Sequence, residues 1–270
     1  MHSNSFVKMI FIVGVLQFSA SSPLSPSQAA WRKVSNQAFG VGEELSFEMG
    51  WKAATAGTAV LRVEELGFRQ KRKAYKIVCE ATTNRIVDAV FEVRDRFESW
   101  MDVEALCSLS FAKRANEGGK SHSEDIFINP LSGEYKYRRS RPEKTAAADI
   151  ETGTGPRFIQ DLISMSYYVR AKGLATGKPV IVQYLDGVRL KEIKLEPMRK
   201  EIIKTEAGTF SCLVVEPMFK DGAGYSPHSK SVIHIWLTDD RRHVPVKIAA
   251  GLPIGDVTAV LTGYKPGKSS

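Results

Sequence analysis

Apolar residues recur at every second position through most of this chain, a period that favours half-buried β-strands. Leu45, Phe47, Met49 and Trp51 share one side of an extended segment, with Ser46, Glu48, Gly50 and Lys52 on the other. Ala56-Gly57 reads as a turn, and Ala59, Leu61 and Val63 as the return arm of a hairpin. Tyr75, Ile77, Cys79 and Ala81 repeat the pattern. From Phe91 to Met101, Phe91, Val93, Phe97 and Met101 face one way together with Asp95 and Ser99, while Trp100 shares the opposite face with Glu92, Arg94, Arg96 and Glu98. Further strands begin at Cys107 and run through Ile126–Ile128. Another pairs back through Glu134–Arg139 after the turn Asn129–Gly133. Beyond the middle of the chain, strands are expected around Val180–Tyr184, at Ile202-Ile203 and Phe210–Val214 on either side of a turn at Glu206-Ala207-Gly208, and around Ile233–Leu237, Val244–Ile248 and Asp256–Tyr264.

One segment has a different period. Phe158, Leu162, Met165 and Val169 recur at helical spacing, broadened by Ile159 and Ile163. Pro156 suits a first turn, Asp161 the N-terminal end, and Arg170 with Lys172 the C-terminal end before Gly173. Ahead of it, the Ala-, Gly- and charge-rich stretch 140–156 reads as a mobile linker. About a dozen short strands with one amphipathic helix predict a mainly β fold. Its antiparallel sheet must curl into an open barrel, half-barrel or sandwich to cover its apolar face, with the helix packed against it.

The first residues are of another kind. His2–Lys8 is polar with one positive charge, Met9–Phe18 is a compact apolar run, and small residues with proline lead to Ser27-Gln28-Ala29. That order matches a secretory signal peptide, with cleavage expected after Ala29 and Ala20 or Ser21 as the alternatives, and the apolar run is too short to span a bilayer. Residues 30–270 then form one domain, periplasmic or otherwise exported, with no transmembrane span after signal removal. The net charge of +8 is scattered in short clusters such as Lys71-Arg72-Lys73 and Arg199-Lys200, not gathered into an aromatic-interleaved stripe. That pattern argues against nucleic acid and for a solvated basic surface. Three cysteines permit one disulfide in an oxidising compartment. Cys79 with Cys107 is the candidate pair, against the reading that all three are buried thiols.

Catalytic and metal-binding patterns are sparse. No Gly-x-Ser-x-Gly elbow, His-x-x-x-His or Cys-x-x-Cys unit occurs, Gly222-Ala223-Gly224 lacks the lysine of a phosphate loop, and Asp239-Asp240 sits in a tight turn. No metal site and no cofactor are expected. Asp95, Ser99 and His234 are candidate buried polar residues, and an inward carboxylate requires a partner.

Five segments in order resemble the DUF3108 family: Gly42–Phe47 with Trp51 and Ala56-Gly57, Val93–Trp100, Asp161–Ser164 with Tyr167–Arg170, Trp236–Asp240 with Pro245–Lys247, and Pro253–Gly255 with Ala259–Leu261. The resemblance implies an exported bacterial protein, usually Gram-negative, with a curved antiparallel sheet, and carries over no catalytic residue. The function expected is non-enzymatic binding of an apolar, lipid or lipoprotein acyl ligand. Trp51, Phe97, Phe158, Leu162, Met165 and Tyr168 are its candidate contacts, and the helix acts as a lid over a concave sheet. The alternatives are a scaffold for an envelope protein partner, cued by Trp100, and a hydrolase.

Overall fold

The computed structural model describes residues 30–52, 54–141, 148–227, 232–251 and 255–268. The signal-peptide reading and Pro253-Ile254 therefore lie outside the described residues. The first half runs β1 (Glu44–Trp51), β2 (Ala54–Arg69), β3 (Arg72–Thr83), helix α1 (Arg85–Phe91), β4 (Val93–Asp102) and β5 (Ser108–Glu117). It continues through β6 (Lys120–Ile128), β7 (Glu134–Ser140) and β8 (Asp149–Thr154) to helix α2 (Leu162–Lys172). The second half holds β9 (Val180–Asp186), β10 (Arg189–Thr205), β11 (Gly208–Asp221) and β12 (Gly224–Pro227), then β13 (Ile233–Thr238), β14 (Pro245–Ala250) and β15 (Val257–Lys265).

Among the described residues all fifteen strands belong to one sheet, ordered β8-β7-β6-β5-β4-β3-β2-β1-β15-β14-β13-β11-β10-β9, with β12 beside β11. The sheet is antiparallel and unclosed, with β8 and β9 at its ends. The alternation seen in the sequence becomes its inner face. In β4 the buried side is Val93, Asp95, Phe97, Ser99 and Met101. Irregularities at Ser46/Phe47, Val63/Glu65, Trp100/Met101 and Trp236/Leu237 bend the strands so that a single sheet can wrap its own core. The β2–β3 hairpin turns through Gln70 and Lys71, at φ of 49° and 61°, the left-handed geometry that matches strand twist.

Two apolar clusters fill the concavity. The larger gathers β1 to β7 around Phe39, Tyr75 and Tyr167; the smaller lies under β9, β10, β11 and β13. Helix α2 is driven between them. Ile163 and Tyr167 face the first, and Met165 and Val169 the second. The single stripe expected from the sequence is thus two flanks, and the space beneath the helix is packed side chain. Burying an arginine in such a wedge requires a matched carboxylate, which Glu43 supplies. Arg170 donates to both Glu43 oxygens at 2.8 Å, with both side chains almost wholly enclosed.

Several expectations need correction. The helix begins at Leu162, not in the turn containing Pro156, because Asp161 caps it by accepting from the Ile163 and Ser164 N–H groups. Phe158 consequently lies outside the helix, at φ 58°. Within the expected linker, Asp149–Thr154 is strand β8, paired to β7 from Arg139↔Asp149 to Glu134↔Thr154. A second helix, α1, was not foreseen. Cys79, Cys107 and Cys212 are all free and buried. Cys79 lies level with Phe97, and Phe97 with Lys113. Cys107 is therefore displaced by six residues of strand, about 20 Å, where a disulfide allows Cα atoms at most about 7 Å apart.

Candidate functional site

Between β8 and α2 the chain crosses the gap separating the two sheet ends, and its backbone is stitched on both sides. The Gln160 N–H donates to the Gln183 carbonyl at 3.2 Å, and the Leu185 N–H to the Gln160 carbonyl at 2.9 Å, a parallel bridge to β9. On the other side the Ser108 N–H donates to the Ile159 carbonyl at 3.2 Å, and alongside the crossing the Tyr135 hydroxyl of β7 donates directly to the Val188 carbonyl in the β9–β10 turn at 2.9 Å. Ile159 points into the core, whereas the left-handed backbone at Phe158 turns its ring toward the surface. There it meets Trp31 at 5.9 Å between ring centroids.

This crossing borders a cleft of about 250 Å³ lined by Arg32, Phe158, Gln160, Tyr168, Ile181 and Glu192, among others. Arg32 is its organising group. The guanidinium lies 5.0 Å from the Phe158 ring and 4.7 Å from that of Tyr168, and donates to the Ala105 and Leu106 carbonyls at 2.7 and 3.0 Å. Burial lowers its pKa, opposed by Tyr168, Cys107 and Asp102. Gln160 donates to the Leu106 carbonyl at 2.8 Å, but its own side-chain oxygen is buried without a hydrogen-bond donor. Across the cleft, burial would raise the Glu192 pKa. Hydrogen bonds from Tyr225, Lys220 and Gln183 outweigh it, so the pKa lies below the ordinary value and the carboxylate stays ionised. The cleft thus presents aromatic and aliphatic walls, two cations (Arg32 and Arg157, the latter 4.9 Å from the Phe158 ring), one anion and one unmatched acceptor.

The six candidate contacts separate. Phe158 and Tyr168 line the cleft. Leu162 packs against the smaller cluster, Met165 is inside it, and Phe97 belongs to the larger. Trp51 stands at the far end of β1, half-buried with the Lys52 ammonium 5.0 Å from its ring. Trp100 is committed within the sheet. Its indole N–H donates to Glu98 at 2.8 Å, and Arg69 stacks at 4.7 Å.

Ser99, Asp95 and His234 also part company. Ser99 donates to Asp161 at 2.6 Å, orienting the α2 cap. His234 is half-buried on β13 beside Trp236, 5.8 Å between rings. Asp95 joins a buried polar group that sequence reasoning missed. It accepts from the Asn116 N–H at 3.2 Å and lies 4.0 Å from the Lys113 ammonium, which donates to Glu117 at 3.2 Å. His122 and Arg139 each approach Glu124 at 3.7 Å. Burial pushes the Asp95 carboxyl up to about 7, with Lys113 opposing and Glu117 reinforcing, and burial also lowers His122. The signal was present: Lys113 and Glu117 alternate in phase with Leu109 and Phe111.

Among the described residues, no helix is long and apolar enough to cross a membrane. Residues 46–262 match the family described as "Protein of unknown function (DUF3108)". No curated protein matches the chain. Among solved structures, a β-barrel-like protein of the domain of unknown function DUF1849 from Brucella abortus is similar at 11% identity and TM-score 0.57, covering 86% of this chain and all of that one. A candidate exported protein of YmcC-like fold from Bacteroides fragilis is similar at 11% identity and TM-score 0.31, covering 87% of this chain and all of that one. A candidate lipoprotein from Parabacteroides distasonis matches at 10% identity and TM-score 0.31, over 87% of this chain and 99% of that one.

Proposed function

Since the chain belongs to the DUF3108 family, whose description assigns no activity, we propose that it is an exported, soluble cell-envelope protein that binds an amphipathic, lipid-like ligand without catalysis. Export is supported by the apolar run Met9–Phe18 and the small-residue junction at Ala29. The observation that carries the binding reading is the cleft beside α2, where a half-buried guanidinium lies against two aromatic rings. Its cations, Arg32 and Arg157, suit an anionic headgroup and its walls suit hydrocarbon. Because the concavity under α2 is filled, the ligand lies against the seam of the sheet. At about 250 Å³ the cleft takes a headgroup or the end of one chain, not a whole lipid. The polar groups support binding over chemistry, since Arg32 and Glu192 are both held in hydrogen bonds that fix them.

Native mass spectrometry and lipid extraction of protein purified from its own envelope test this reading. A co-purifying amphiphile, and fatty-acid uptake weakened about tenfold in Phe158→Ala/Tyr168→Ala, are expected, on the scale of two lost aromatic contacts. Empty protein that takes up no fluorescent fatty acid overturns it.

A further inference from the structure

Helix α1 buries none of its residues, and Ile86 and Val90, one turn apart on the same face, are 82% and 87% exposed. The exposure is built in. Asn84 caps the helix by accepting from the Ile86 and Val87 N–H groups at 3.1 and 3.0 Å, and its own amide donates to the Thr55 carbonyl at 2.6 Å. Asp88 accepts from Thr83 and Arg94. At the end of the helix, the Phe91 ring lies over Gly118 so closely that a Cβ there would come within 2.6 Å of it. Both aliphatic side chains are therefore held out on a braced platform.

The surroundings say what such a platform meets. Backbone bonds from Lys52 to Asp256, from Asn84 to Ala56 and from Gly118 to Glu92 join the neighbouring loops into one rim. Lys52, Arg85 and Lys120 are exposed on it and have no ion pair among the described residues. The α1 carboxylate Asp88 and the adjacent Glu92 share the single positive charge of Arg94, at 2.6 and 3.4 Å, which leaves one negative charge over to set against the three lone cations. Asp256 is a further exposed carboxylate on the same rim, and together these acids reduce the positive charge to a small excess without cancelling it. Trp51 adds a half-buried ring under Lys52. Aliphatic tips inside a basic border, with an aromatic beside a lysine, are the composition that partitions into the headgroup region of an anionic bilayer.

We propose that this rim docks the protein on an anionic lipid surface, with Ile86 and Val90 entering the headgroup boundary and Lys52, Arg85 and Lys120 facing the phosphates. The site is distinct from the cleft. The rim lies at the Val93 end of β4 and the cleft near its Asp102 end, ten residues or about 30 Å away.

Co-sedimentation of the chain from Ala30 onward with vesicles of one part phosphatidylglycerol to two parts phosphatidylcholine tests the proposal. Binding is expected to the mixed vesicles, far less to pure phosphatidylcholine, with about fivefold lost for each basic residue neutralised. Ile86→Asp with Val90→Asp should lower partitioning at least about tenfold at unchanged melting temperature. Phe68→Asp, at a site 74% exposed on the β2–β3 hairpin, should leave partitioning unchanged. No binding, equal binding to both vesicles, or an undiminished double variant overturns the proposal. So does a dimer in solution that the double variant dissociates, which would assign the rim to a second copy.

Discussion

Asp95 is an acid held against its preference. Its carboxyl is pushed up to about 7 by burial, whereas in an unfolded chain it titrates near about 3.9. A group raised in this way favours the fold fully below the unfolded value and loses that contribution as pH climbs through the folded one. Replacing it by Asn, which needs no ionisation, should therefore stabilise the protein at pH 8 by about 1–3 kcal/mol, with the gap closing toward pH 4. Urea unfolding at the two pH values measures it, and an equal gain at both would contradict the assignment. The cysteines make a second residue-scale case. Burial pushes the Cys79 and Cys107 thiols up to about 12 and Cys212 to about 11. The native protein should consequently resist thiol reagents at pH 8 and release three equivalents only on unfolding. Inward placement of single residues was legible wherever alternation was regular, as for Asp95 and Ser99. Arg32 was not, because it donates to carbonyls 73 and 74 residues away and no local period records such a pairing.

Among elements, α2 depends on one buried pair. Removing the carboxylate leaves Arg170 enclosed and uncompensated, so Glu43→Ala should cost about 3–5 kcal/mol. Glu43→Gln, which keeps an acceptor, should cost less. Denaturant midpoints of the two variants separate the charge from the hydrogen bond, and equal small losses would show that the pair is dispensable. The end of α2 was readable from Gly173, which adopts φ 76° and closes the last turn. Its start was misread because Pro156 imitates a first-turn signal six residues early. Strand β8 escaped for a different reason. Four of its first five residues and the last are exposed, since an edge strand without a covered face has no hydrophobic period to display. Helix α1 escaped likewise, because seven residues that bury nothing leave no stripe.

At the scale of the whole molecule, strand after strand pairs with its neighbour in sequence, and that meander was legible as successive hairpins. What no local pattern could announce is the join at the centre of the sheet, where β1 lies against β15 from Glu44↔Lys265 to Trp51↔Val257. That join gives the chain an order of assembly. During synthesis the strands from β1 to β8 can zip together as each appears, while the outer edge of β1 must wait for the final nine-residue strand. Loop closure over more than two hundred residues is the kind of contact that slows folding. Refolding of the chain from Ala30 onward should thus show fast formation of local hairpins and a slower phase that stopped-flow fluorescence resolves. Truncation before Val257 should abolish the slow phase and leave a species that self-associates through the unpaired edge. The first strand made and the last are partners, so a nascent chain carries a sticky edge for almost the entire time it takes to make it.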